Sequence, residues 1–156
     1  TRSRKIAGRH VSAVRLVRLR QAEAFPGGCA IPVAESASWM DTILFRVAAV
    51  LGFLAVALGA FGAHALKGIL SANDTTEVWK TAVLYHFIHA ITLLVLATLP
   101  AASRAACGLF VGGIVIFSGS LYVLALTNIR WLGAITPLGG LSFLAGWLAL
   151  VIWPPR

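Results

Sequence analysis

The stretch ILFRVAAVLGFLAVALGAFGAHAL, Ile43 to Leu66, is interrupted only by Arg46 and His64. It exceeds the ~20 residues that an α-helix needs to cross a ~30 Å hydrocarbon core. Ala105 to Thr127 and Trp131 to Trp153 are runs of the same kind. Ala82 to Leu99 is shorter, but Asp74 followed three residues later by Glu77 has the form of a capping box, which would start that helix near Thr75 in the headgroup region. Four spans are expected, at about residues 43–66, 75–99, 105–127 and 131–153. The composition agrees: 59% of the chain is apolar and 12% charged, and the mean hydropathy is +0.89, beyond the roughly half-apolar usage of soluble domains. The expected fold is all-α, an integral membrane four-helix bundle occupying residues 40–156.

The charges divide the chain unevenly. Arg2, Arg4, Lys5, Arg9, Arg15, Arg18 and Arg20 lie in residues 1–39, whereas the remainder holds only Arg46, Lys67, Lys80, Arg104, Arg130 and Arg156. Pro26-Gly27-Gly28 and Pro32 break the leader, and Val11 to Leu19 is interrupted by Arg15 and Arg18, so neither a span nor a signal peptide fits there. Three readings of 1–39 compete: a basic membrane-surface or targeting segment, a disordered tail, or upstream codons joined to a gene that starts at Met40, the only methionine. A pI near 10.8 raises nucleic acid as a partner. The basic residues flank apolar runs or sit in the leader rather than on a folded face, so the expected partner is the lipid bilayer and not nucleic acid. Cys29 and Cys107 form no repeated spacing that would signal a disulfide framework or zinc site.

Short links, Pro100 to Arg104 and Asn128 to Arg130, make the second, third and fourth spans successive antiparallel neighbours and put both ends of the body on one membrane side. Without the leader that side carries three basic residues against three opposite. With it the ratio is ten to three, which places the termini in the cytoplasm. Trp79, Trp131 and Trp153 are expected in an interfacial belt, while Trp147, Tyr85 and Tyr122 lie too deep and should pack between helices.

Small residues at four-residue spacing let helices approach closely in lipid, where burial of apolar surface no longer drives association. Ala55, Gly59 and Ala63, then Gly108 and Gly112, then Ser142 and Gly146 provide such strips. Pro137 has no backbone N–H, and Gly139-Gly140 follow it, so the fourth helix must be kinked or broken. If broken, it starts with Thr136 as cap and Pro137 in its first turn, leaving Trp131 to Ile135 as an interfacial or re-entrant piece.

Ionisable residues inside a membrane are functional candidates by default. His89 lies ~15 Å beyond Trp79, near mid-bilayer, whereas His64 is only ~5 Å from Lys67. Haem bridged by His64 and His89 is therefore poorly matched in height, and by His64 and His86 only marginally. A closed zinc site needs four ligands, and Glu23, Glu35, Asp41, Asp74 and Glu77 all lie outside the membrane core. The bland alternative is that neutral His89, one turn after Tyr85, hydrogen-bonds Ser118, Ser120 or a backbone carbonyl across a helix interface. Ser118-Gly119-Ser120 lacks an acidic partner for a histidine relay. No catalytic residue, metal or cofactor is assigned. The candidate functional polar residues are His64, Tyr85, His89, Ser118, Ser120 and Thr136.

Leu58-Gly-Ala-Phe-Gly-Ala-His-Ala-Leu66, Phe117-Ser-Gly-Ser-Leu-Tyr122, and Thr136-Pro-Leu-Gly-Gly140 continuing to Phe143-Leu-Ala-Gly-Trp147 together resemble the YgdD-like family, which includes eukaryotic transmembrane protein 256 and is known mainly as a domain of unknown function. The resemblance covers about Met40 to Trp153. It implies a small multi-pass protein, in bacteria of the cytoplasmic membrane, with no established activity. His64 and His89 fall within its pattern, whereas His86 is a position where other polar residues are expected. The leading expectation is a non-enzymatic structural or accessory membrane protein, working as a homo-oligomer or with a membrane-protein partner. A transporter or channel lined by the six candidates, and a haem or quinone redox protein, are the alternatives.

Overall fold

The computed structural model describes residues 39–99 and 102–155. The basic leader lies outside the described residues except for Trp39, where the first helix begins. The order is α1 (Trp39–Ala63), a short α2 (Lys67–Ala72), α3 (Thr76–Leu96), α4 (Arg104–Gly113), a π-helical stretch (Ile114–Ser118), α5 (Gly119–Thr127), a 3-10 stretch (Arg130–Ala134) and α6 (Thr136–Ile152). Among the described residues four segments are long and apolar enough to cross a membrane: Thr42–Ala63, Thr76–Leu96, Arg104–Thr127 and Arg130–Ile152. No strand occurs among the described residues. α1 has α3 as its principal neighbour, α3 also packs along α4 to α5, and α6 lies against α4 and the π-helical stretch.

What is buried is the reverse of a water-soluble bundle. The core is rich in alanine, with Ala48, Ala55, Ala82, Ala90, Ala106, Ala125 and Ala149 buried, while Phe53 is 72% exposed and Val151 77% exposed. Large apolar side chains face outward because lipid solvates them, and small ones face inward because backbone approach, not hydrophobic burial, joins the helices. Phe110, Leu93, Ile114 and Phe143 fill the gaps between the alanines.

The small-residue strips are only partly those expected. Ala55 is fully buried, and a β-carbon on Gly59 would lie 3.4 Å from Val83. Gly108, in contrast, has nothing within 4 Å, and Ala63 is exposed. The tightest approaches are at Gly62 against the Trp79 indole, Gly113 against the Phe143 ring, Gly146 against Phe110 and Gly139 against the backbone of Phe117.

The fourth span is broken. The 3-10 stretch ends at Ala134, Ile135 precedes the first residue of α6, and Pro137 sits in the first turn, where its missing N–H has no intrahelical partner to lose. Ile135, rather than Thr136, is the cap. The Thr136 hydroxyl lies 2.9 Å from Ser120 Oγ, joining the start of α6 to α5.

The first run ends at Ala63 rather than Leu66. His64 to Leu66 form a turn, and α2, anchored by buried Leu70, follows it. The expected capping box does not form either. Asp74 adopts a left-handed conformation with φ 53°, Thr75 becomes the N-cap without a side-chain capping bond, and Glu77 pairs with Lys80 at 2.7 Å. Thr75 is used elsewhere: its hydroxyl donates to Ala125 O at 2.8 Å, and Asn73 Nδ2 donates to Ala125 O at 3.1 Å and Leu126 O at 3.2 Å. These carbonyls belong to the last turn of α5, where helical partners run out, so the α2–α3 corner completes the end of another span. Thr75→Val is expected to cost about 1 kcal/mol, the worth of one buried hydrogen bond, while Glu77→Gln changes stability by less than about 0.5 kcal/mol. Unfolding of both variants in detergent checks this pair.

Trp79 also departs from expectation. It is 3% exposed, donates Nε1–H to Leu58 O at 3.1 Å and stacks obliquely on Tyr122 with ring centroids 4.8 Å apart, so it is a helix-packing residue and not part of a belt. Trp131 and Trp153 are exposed, as a belt requires.

Candidate functional site

α3 carries His86 and His89 into the protein, and α6 meets His89 with buried Phe143; Tyr85 and Trp147, expected between helices, touch this cluster but remain exposed on one side. The His89 ring lies parallel to that of Phe143, with centroids 3.6 Å apart and 10° between planes. Phe110 closes a second side at 5.5 Å, and Tyr85, stacked 6.1 Å away, packs in turn on Phe117 at 4.6 Å. His89 is 5% exposed.

Both ring nitrogens of His89 are engaged. Nδ1 lies 2.8 Å from the Tyr85 carbonyl, which can only accept, so the proton belongs on Nδ1. Nε2 then carries the lone pair and accepts from Trp147 Nε1–H at 3.3 Å. The network assigns one neutral tautomer in which no donor or acceptor of the ring is left over. The expected partners, Ser118, Ser120 or a carbonyl on a facing helix, are replaced by a carbonyl of the same helix and an indole from α6. Trp147 serves as the donor because an indole N–H reaching apolar depth needs an acceptor, and His89 is at the same level.

The six candidate residues do not form one constellation. Tyr85 and His89 belong together and line an open groove of about 540 Å³ with Phe117, Pro137, Gly140 and Phe143. Ser120 and Thr136 make a separate pair, with Ser120 Oγ also 3.0 Å from Phe117 O and Thr136 Oγ1 3.4 Å from Leu132 O. Ser118 is fully buried and its hydroxyl has no partner among the described residues. His64 is exposed in the turn after α1. His86, discounted by sequence reasoning, is 4% exposed, with Nδ1 3.3 Å from the Tyr122 hydroxyl and Nε2 without a partner among the described residues. A tyrosine thirty-six positions away gives no local signal, so this contact could not be read from spacing. Among the described residues no three His, Cys, Asp or Glu side chains are grouped to hold a metal ion.

Outward-facing leucines and valines, an alanine-rich interior and polar groups spent on joining helices define a four-span integral membrane protein. A family model described as "Protein of unknown function (DUF423)" matches residues 58–140. The UPF0382 membrane protein YwdK of Bacillus subtilis is 46% identical over 116 residues, which are 70% of this chain and 94% of the relative. The UPF0382 membrane protein SH2409 of Staphylococcus haemolyticus is 48% identical over 103 residues, 64% of this chain and 84% of the relative. The UPF0382 inner membrane protein YgdD of Escherichia coli is 41% identical over 112 residues, 67% of this chain and 83% of the relative. This chain belongs to that family of uncharacterised membrane proteins, in agreement with the resemblance carried by its three motifs. No solved structure matches it.

Proposed function

We propose that this protein is a non-enzymatic structural or accessory component of the bacterial cytoplasmic membrane, and that its intramembrane polar residues fasten helices rather than handle a substrate. The state of His89 carries this reading: the most deeply placed histidine has both nitrogens occupied by protein groups and its ring face covered by Phe143. An axial haem ligand needs a free lone pair and a proton relay a titratable neighbour in hydrogen-bond contact, and the groups facing His89 are Phe110, Phe143, Trp147 and Tyr85, whose ring stacks 6.1 Å away and which bonds His89 through its carbonyl. The membrane assignment draws on the Escherichia coli relative, an inner membrane protein. The placement of both termini in the cytoplasm draws on the ten-to-three distribution of basic residues. Assembly with a second copy or another membrane protein is consistent with α1, which has one principal helix neighbour and turns Phe45, Val50 and Phe53 outward.

The full chain reconstituted in liposomes is expected to conduct protons and small ions no faster than empty vesicles, and to carry no absorbing cofactor after purification. A flux abolished by His89→Phe in otherwise folded protein would transfer the Tyr85–His89 groove to a transport role and overturn the reading. A green-fluorescent C-terminal fusion should fluoresce, as cytoplasmic placement requires. A phosphatase fusion active at the same end would reverse the orientation.

A further inference from the structure

A second groove, of about 530 Å³, opens between α1 and α3 and shares no lining residue with the Tyr85–His89 groove. Its size falls within the ~300–1,000 Å³ of small-molecule sites. Gly59 and Gly62 line it from α1 without side chains, and the Trp79 indole, which packs directly on Gly62 and donates to Leu58 O, lines it from α3. Val83, Leu84 and Phe87 form the apolar wall. The charged side chains lining it are Lys67 and Lys80, and no carboxylate lines it.

The levels of these residues matter. Lys67 follows the end of α1 by four positions and Lys80 stands four positions into α3, so both ammonium groups sit where the headgroups begin. Phe87 is seven residues further along α3, roughly 10 Å deeper. The groove thus has a cationic mouth at phosphate level and an apolar furrow running into the hydrocarbon. Lys80 is shared with Glu77, but both side chains are largely exposed, at 65% and 83%, so the pair is weak and exchangeable. Lys67 meets no carboxylate among the described residues. Thr76 adds a hydroxyl to the lining at the first turn of α3, whose leading N–H groups have no helical partner.

We infer that this groove holds an anionic phospholipid, its phosphate between Lys67 and Lys80 and one acyl chain along Val83, Leu84 and Phe87. A free anion would gain nothing from the furrow, and a zwitterionic lipid would bring its own cation against two lysines. Paired basic residues between spans at headgroup level are the chemistry that recognises anionic lipids.

The test is native mass spectrometry of the full chain released from micelles containing phosphatidylglycerol, phosphatidylcholine with the same acyl chains, or inorganic phosphate alone. Phosphatidylglycerol should be retained roughly thirtyfold more than phosphatidylcholine, as about 1 kcal/mol for each of two lysines near a lipid surface requires, and phosphate should not be retained. Lys67→Gln with Lys80→Gln should bring phosphatidylglycerol down to the phosphatidylcholine level. Arg130→Gln, which removes a basic residue on the same membrane side but outside the groove, should leave retention unchanged. Leu84→Trp should block the furrow and lower retention with both lysines intact. Equal retention of the two lipids, an unaffected double lysine variant, an equal loss in Arg130→Gln, or retention of phosphate by itself would each overturn the inference.

Discussion

Gly139→Val is expected to prevent stable folding. A β-carbon at this position would lie 2.7 Å from Phe117 Cα and closer still to Phe117 N, so the obstruction is backbone, which cannot rotate aside. The clash falls where the π-helical stretch of the third span meets the first turn of α6, one turn from the Ser120–Thr136 pair and beside the ring that stacks on Tyr85. Relief would require the two spans to separate, breaking those contacts together. Overpacking a tight interior costs about 1–3 kcal/mol where side chains can yield, and more where they cannot. A loss of 3 kcal/mol or more is therefore on the order expected. Gly108→Ala and Gly119→Ala, at glycines with nothing within 4 Å, should fold and insert as the parent does, since alanine is the better helix former by about 1 kcal/mol in water. Detergent-purified yield and unfolding midpoint separate the two outcomes, and a Gly139→Val protein as stable as the parent would mean that the spans do not approach as described.

The second large effect is at His89. His89→Ala removes the acceptor of Trp147 Nε1–H, the donor to Tyr85 O and the ring that covers Phe143, leaving a cavity among aromatic side chains. Truncation of a buried ring costs about 3 kcal/mol or more. His89→Phe keeps the stack and discards the two hydrogen bonds, so it should lose less, about 1–2 kcal/mol, most of it the stranded indole N–H. A protein in which His89→Ala folds with undiminished stability would contradict the role assigned to this ring.

The legible part of the fold was the part written in composition and in backbone chemistry. Runs such as Ile43 to Leu66 need only length to define a span, and Pro137 announces a kinked or broken helix because it has no N–H to donate. Local patterns misled where the decisive partner was distant. Asp74 and Glu77 have capping-box spacing, yet Thr75 finds Ala125 O fifty positions away. Trp79 stands at belt depth, but Gly62 leaves room for its indole inside. Gly108 satisfied a four-residue spacing with Gly112, yet only Gly112 meets the facing helix, at Ser142, and the six-residue α2 is too short to show a period. At the candidate site, the pairing of Tyr85 with His89 followed from one-turn spacing. The partner of His89, fifty-eight positions along the chain, did not. The depth argument for Trp147 was the one available hint, since an indole placed below the interface must find an acceptor.

The central claim, that His89 is a helix fastener, is tested most directly by a double-mutant cycle between His89 and Trp147, using His89→Phe, Trp147→Phe and the pair, with unfolding free energies measured in detergent for the full chain. Interhelical hydrogen bonds in membranes average about 0.6 kcal/mol and reach about 1.7 kcal/mol, and a coupling of about 1 kcal/mol is predicted here. Strict additivity of the two substitutions would show that the indole and the imidazole do not sense each other, and would return His89 to the residues whose purpose is to be sought in a bound molecule.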